Sequence, residues 1–437
     1  MSGKNRGIGE FLSYALLTAG AMLTFSVYTM VSGVIVSHGA GEAALAALNL
    51  SMPLVNMMFA VSVLMSVGAA TVIGVHRGAG ELQLAKRAFT EDIFAVLGAS
   101  LLVVLITALF PCGIARFLGG TELTLGRVEE YVRVTGAFAP AYMLSYNLEV
   151  MSRADGRPHM ALAGVSACGA VTVGLGWLFV MRMGLGMRGA ALAAGLGQTA
   201  SILVYLTHFL SRRAKLRLAF ARPVKGLFRR ALPLGLSDFS NEVVLALTTF
   251  LYNRALLMAV GVRGVVSYAV VSFVNTLAVM LFAGVAQANQ PLVSRSRGAK
   301  DHKGMFAFYG YGVVTALALG LLLYGACLAF APGIARLVIE PGSSALPYTA
   351  AALRMFAAVF PLAGLNIVTS GFLAATEAPR YAAAISLGRG ASFALALFVL
   401  AALAPGDALW YAALIAEGLC AAASAAFFLR RRKEILR

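Results

Sequence analysis

The sequence predicts an all-α integral membrane protein with twelve transmembrane helices. Three observations predict it: composition, charge-free runs of bilayer length, and an internal repeat. Hydrophobic residues make up 60% of the 437 positions and charged residues only 12%, with a mean hydropathy of +0.84. A chain this apolar cannot keep its surface in water. Ile93 to Phe110, Val265 to Ala286 and Gly310 to Phe330 carry no charge; each is close to the ~20 residues an α-helix needs to cross a bilayer at ~1.5 Å per residue. Strict period-2 alternation is absent, so helices are favoured over a barrel.

Apolar runs between charged or Pro/Gly-marked breaks place the spans, in order, near residues 22, 58, 100, 142, 170, 198, 246, 278, 318, 361, 392 and 419. The first two of each half are longer than a bilayer requires, which predicts tilt or extension into water. Six spans fall in each half, and the halves repeat. Arg77-Gly78-Ala79 returns as Arg297-Gly298-Ala299, and Gly113-Ile114-Ala115-Arg116 as Gly333-Ile334-Ala335-Arg336. Arg133 matches Arg354, Pro140 matches Pro361 and Pro158 matches Pro379, all in order at a shift of about 220 residues. In so apolar a chain an ordered duplication points to a transporter, whose like halves can rock about a site at their interface.

The net charge of +17 comes from basic residues gathered in alternate loops. Most of the 35 Lys and Arg lie on one side, among them Lys4, Arg6, Arg77, Lys86, Arg87, Arg153, Arg157, Arg295, Lys300 and Arg430 to Lys433. Arg116, Arg127, Arg133, Arg182, Arg188, Arg263, Arg336 and Arg354 lie on the other, while Arg254 and Arg389 fall in or near spans. This asymmetry predicts a plasma (inner) membrane protein with both termini cytoplasmic. The organisation is an amino-terminal bundle over 1–210, a basic cytoplasmic linker over 211–230 and a carboxyl-terminal bundle over 231–437. The linker reads as a topological anchor attracted to anionic membrane lipids. Aromatic residues are not interleaved with its charges, so nucleic acid is not an expected partner. No removable signal peptide is read at the amino terminus. Cys112, Cys168, Cys327 and Cys420 are dispersed in or beside apolar runs and read as small core residues.

No Walker-type loop, zinc-spaced His pair or Asp-rich cluster is present, so neither an enzyme nor a bound metal or cofactor is expected. The remaining chemistry lies in acids within spans, where a carboxylate costs at least ~2.5 kcal/mol and needs a partner, a wet cavity or a proton. Asp238 and Glu242, four apart, share a helix face. Two acids this close in a partly dry site do not both ionise easily, which suits the pair to a proton or a sodium ion. Asp238 also fits a helix-dipole role one turn after Pro233. Glu242 lies about 18 Å of helix beyond Arg230, near mid-bilayer. Glu149 precedes Arg153 by four, a spacing that suits an ion pair as well as a site, and Glu417 lies within the last span. Amides recur within spans, most to join helices. Asn147, Asn241, Asn253 and Gln287, with Glu149 and Glu417, are the candidates to line a substrate cavity.

Several stretches resemble the multidrug and toxic compound extrusion (MATE) transporters. Leu148 to Ala161, LEVMSRADGRPHMA, resembles the family's loop after the fourth helix, and Gly284 to Lys300, GVAQANQPLVSRSRGAK, the end of its eighth. Gly186 to Gln198 is similar to the start of the sixth helix and Glu42 to Pro53 to part of the second. The resemblance implies two six-helix bundles related by a pseudo-twofold along the membrane normal. It also implies export of cationic or amphiphilic small molecules in exchange for H+ or Na+. The chain departs from the family where acids are usual, reading Thr29-Met30-Val31-Ser32 in the first helix and Leu175-Gly176-Trp177 in the fifth. Ion coupling is therefore expected in the carboxyl half, where Ser237 to Glu242 resembles an acid-bearing seventh helix. Two other readings stay open: a flippase of lipid-linked saccharides, expected to line its cavity with cations, and a transport-inactive membrane sensor or scaffold.

Overall fold

Inside a bilayer every backbone N–H and C=O must be satisfied within the segment, and these Ala-, Leu-, Val- and Gly-rich runs do so as helices. The computed structural model describes residues 3–119, 124–219, 224, 226–337, 339, 343, 345–404 and 406–436; within them, the side chains of 3–6, 42, 43, 45, 46, 242, 245, 246 and 262 are outside the description. The side chains of Lys4, Arg6, Arg222, Lys225 and Glu242 thus lie outside the described residues.

The first half contributes α1 (Gly3–Ala40), α2 (Glu42–Gly78), α3 (Leu82–Leu109), the short α4 (Pro111–Phe117), α5 (Leu125–Ala137), α6 (Ala139–Ala154), α7 (Pro158–Gly176), a π-helical turn (Trp177–Arg182) and α8 (Gly186–Phe209). The second contributes α9 (Leu227–Ala259), α10 (Val262–Gly298), α11 (His302–Arg336), α12 (Ala345–Ala357), α13 (Phe360–Ala375), α14 (Pro379–Leu403), a 3-10 turn (Asp407–Tyr411) and α15 (Ala412–Leu436). Among the described residues nine helices are individually long and apolar enough to cross a membrane, and α12 with α13, bent by 42°, makes a tenth. The more polar α9 and the broken α5–α6 pair complete twelve. The predicted overlength is seen in α1, α2, α9 and α10, of 38, 37, 33 and 37 residues.

The spans centred near 142 and 361 are not single helices. Pro140 and Pro361 stand in the first turn of α6 and α13, where a residue without an N–H starts a helix but cannot continue one. The repeated prolines therefore mark repeated breaks.

The duplication extends to backbone hydrogen bonds. After α2, the N–H groups of Ala79, Gly80 and Glu81 donate to Val75, Arg77 and His76 at 3.0, 3.2 and 2.9 Å; after α10, those of Ala299, Lys300 and Asp301 donate to Arg295, Arg297 and Ser296 at the same distances. Gly80 and Lys300 both take positive φ, 81° and 57°. The turns before α7 and α14 repeat likewise, with Gly156 at φ 89° and Glu377 at φ 59°.

The chain forms two compact units, Leu16–Gly235 and Met1–Ala15 with Leu236–Arg437. Within the first, α2 and the start of α9 cross at glycines. A Cβ on Gly68 would lie 2.0 Å from the Ala231 carbonyl oxygen, and one on Gly235 equally close to that of Leu64. Small residues permit that approach. The second unit is built around buried aromatics, with Tyr252 stacked on Tyr268 at 4.8 Å and packed against Phe393 at 4.9 Å. Cys168, Cys327 and Cys420 are buried and Cys112 half-buried, all as free thiols.

Candidate functional site

In the unit containing Leu236–Arg437, polar side chains from five helices form two neighbouring groups. On α9, half-buried Asp238 accepts a hydrogen bond at Oδ2 from Gln290 Nε2 of α10 at 3.4 Å. Asn241, one turn on and on the same face, accepts at Oδ1 from Arg389 Nη1 of α14 at 3.4 Å. The same guanidinium donates through Nε and Nη2 to Glu417 Oε1 of α15, at 2.8 and 2.6 Å. Asn366 Nδ2 of α13 donates to the other carboxylate oxygen at 2.7 Å and to the Glu417 carbonyl at 2.9 Å. Ser424 Oγ then satisfies Asn366 Oδ1 at 2.9 Å. Glu417 is thus held by a cation, an amide and its own helix.

Sequence alone names Glu417 without a partner, and Arg389 supplies one. Its depth was legible: Arg389 lies about 15 Å beyond Pro379 along α14 and Glu417 about 20 Å before Arg430 along α15, at ~1.5 Å per residue. Consecutive antiparallel spans bring such groups to similar levels. Asn253 is half-buried on α9, and half-buried Gln287 on α10 keeps a buried Oε1 that no described donor reaches. Glu242 shares α9 with Asp238 and Asn241, its side chain outside the described residues.

The unit containing Leu16–Gly235 carries an acid that sequence reasoning missed. Asp92 of α3 is fully buried, and Asn147 Nδ2 of α6 donates to its Oδ2 at 2.5 Å and to Ser66 Oγ of α2 at 2.8 Å. Asp92 follows Lys86, Arg87 and Glu91 and lies just outside the charge-free run that starts at Ile93, yet α3 begins at Leu82, which sets Asp92 about 15 Å along the helix. Glu149 is bound at Oε1 by Arg153 Nη1 at 2.6 Å, the predicted pair one turn apart, with side chains 10% and 3% exposed. Near the positions lacking the usual acids, Tyr28 and Cys168 approach to 3.8 Å, and at Gly176 the fifth span leaves α geometry for the π turn.

The acid of the Arg-Ala-Asp-Gly stretch has a structural task. Asp155 accepts from His208 Nε2 at 2.9 Å and from the backbone N–H groups of Lys215 and Leu216 at 3.1 Å each, with Arg77 Nη1 3.9 Å away. Thr90 Oγ1 and Glu91 Oε1 accept from Ala219 and Val224 N–H, each at 2.8 Å. Lys215, Leu216, Ala219 and Val224 of the basic segment are therefore tied to α3 and to the turn after α6.

Duplicated helical units with intramembrane carboxylates held by amides and guanidinium groups define a multi-pass membrane protein of the carrier class. The chain belongs to the multidrug and toxic compound extrusion (MATE) family of transporters: the MatE family model matches residues 18–178 and 242–400, once in each half. It is 24% identical over 393 residues to the multidrug export protein MepA of Staphylococcus aureus (strain NCTC 8325 / PS 47), covering 87% of this chain and 84% of that one. It is 23% identical over 385 residues to MepA of Staphylococcus saprophyticus, with the same coverage. Among solved structures it resembles a MOP superfamily transporter from Pyrococcus furiosus, with a TM-score of 0.92 at 18% identity over 99% of this chain and 97% of that one. A MATE protein in complex with MaL6 matches with the same score and identity, over 98% and 97%.

Proposed function

We propose that this protein is a secondary active antiporter that exports cationic or amphiphilic small molecules in exchange for protons or sodium by alternating access. It works in the plasma (inner) membrane with both termini cytoplasmic, its basic linker meeting anionic lipid. The observation that carries the reading is the set of acid and amide side chains on α9 and α10, with Arg389 of α14 beside them, within an apolar unit of a chain that aligns over most of its length with proteins named multidrug exporters.

Asp238 and Glu242 bind the coupling ion. Asn241, Asn253 and Gln287 offer hydrogen bonds to the passenger, whereas Asn147, fully buried and bonded to Asp92 and Ser66, is not open to it. Glu149 and Glu417 are each held by an arginine, so a cationic passenger reaches them by displacing that guanidinium. Exchange follows because ion and passenger compete for the negative charge of Asp238 and Glu242. Arg389 is neutralised by Glu417, which weighs against a cavity lined by free cations for an anionic lipid-linked sugar. The test is dye efflux from vesicles under imposed pH or sodium gradients, with wild type, Glu242→Gln and Asp238→Asn. Gradient-driven efflux lost in both variants supports the assignment; undiminished efflux in both overturns it.

A further inference from the structure

Asp92 of α3 and Asn147 of α6 are both 0% exposed. Each keeps one buried oxygen, Oδ1 in both, that no donor among the described residues reaches. The amide nitrogen of Asn147 is committed to Asp92 Oδ2 and Ser66 Oγ, which leaves the two orphaned oxygens as acceptors. Several charged groups on the surrounding helices are engaged elsewhere. On α2, His76 pairs with Glu81 and Arg77 lies near Asp155; on α6, Glu149 pairs with Arg153; on α5, Glu129 pairs with Arg133. A buried carboxylate beside a second orphaned oxygen is costly inside a bilayer and marks a place for a positive ligand.

We infer that Asp92, Asn147 and Ser66 form a binding site for one sodium ion inside the Leu16–Gly235 unit. The donors are a carboxylate, an amide carbonyl and a hydroxyl, hard oxygen ligands that suit a hard cation. One carboxylate balances one positive charge, whereas a divalent ion would leave a buried excess. A proton on Asp92 would also neutralise it, and the resulting O–H would be a donor; direct measurement of Na+ binding separates the two occupants. The site is separate from the Asp238–Glu242 pair and rests on the export reading only for its purpose.

The full-length protein, purified in detergent, is tested for binding of radioactive sodium at constant ionic strength with choline replacing Na+, and for the rise in melting temperature on adding Na+. Wild type binds Na+ and is stabilised by it. Asp92→Asn and Asn147→Ala lose both effects, whereas Glu129→Gln, which alters a surface pair on α5, keeps them. Removing the uncompensated charge also makes Asp92→Asn more stable than wild type in Na+-free buffer, a gain that distinguishes site loss from misfolding. Absence of Na+ binding in wild type, or equal binding in Asp92→Asn, overturns the site. Bound Na+ without coupled efflux removes the antiport reading and leaves the site; coupled efflux without Na+ at Asp92 does the reverse.

Discussion

Replacing Arg389 with alanine leaves the Glu417 carboxylate inside the helical unit, 10% exposed, with Asn366 as its remaining side-chain donor. The variant forfeits two guanidinium hydrogen bonds to one oxygen, at 2.8 and 2.6 Å. Two unit charges about 4 Å apart at an effective dielectric of about 20 attract by roughly 4 kcal/mol, and removing one partner of a buried pair costs about 3–5 kcal/mol. Unfolding entropy of about 2.1 cal/mol/K per residue makes that a fall in melting temperature of about 4 °C. The double variant Arg389→Met with Glu417→Met removes both charges and keeps the volume, so it stays near wild type. Thermal unfolding of the detergent-purified protein, followed by intrinsic fluorescence, separates the cases. If Arg389→Ala melts no lower than the double variant, the pair is not what keeps Glu417 tolerable in the membrane, and the reasoning fails.

Asp155→Asn weakens the acceptor that gathers His208 and the Lys215 and Leu216 amides, at a cost of about 1–3 kcal/mol; limited trypsin digestion is expected to cut the 211–219 segment faster than in wild type. Gly68→Ala drives a methyl group against the Ala231 backbone and destabilises the α2–α9 crossing by at least about 1–3 kcal/mol, read as loss of monodisperse protein in gel filtration. Glu377→Gly relieves a left-handed conformation that costs an ordinary residue about 1–2 kcal/mol, so it raises the melting temperature, whereas Gly156→Ala at the matching turn lowers it.

What could be read from the residues was whatever depends on neighbours along the chain. Span positions, the i,i+4 pair Glu149–Arg153, and the repeated turns at Arg77-Gly78-Ala79 and Arg297-Gly298-Ala299 are local events, and all three are present in the fold. The breaks at Pro140 and Pro361 were marked by the repeated prolines but read as positional anchors, because a proline inside an apolar run also fits a kinked single helix. Arg389–Glu417 and Asp92–Asn147 depend on which helices pack together, which no local pattern records. Asp92 was further concealed by a charged neighbourhood, since helix α3 starts in water and carries its first charges with it before entering the bilayer.

The halves share a frame but not a chemistry. Asn366 and Glu417 join α13 to α15, and in the first half Ser145 and Gln198 join the corresponding α6 and α8 at 2.5 Å. Cys168, beside Tyr28, stands where the repeat puts Arg389. The first half therefore carries as a neutral hydrogen-bonded pair what the second carries as a charged triad. Conversely Asp92 falls at the place of Gly312, where a Cβ would meet Asn289 at 2.6 Å and Val368 at 3.1 Å; Val368 in turn holds the place of Asn147. An acid has been kept on α3 and not on α11, and on α15 and not on α8. Because helix geometry is common to both, the difference lies in which carboxylate must be neutralised and by what: Glu417 by the resident Arg389, Asp92 by the ion proposed for it. Full equivalence would need a carboxylate on each of those helices, and the repeat supplies it on one of each pair. Division of labour between the halves follows from the side chains at matched positions, independently of which molecule is carried.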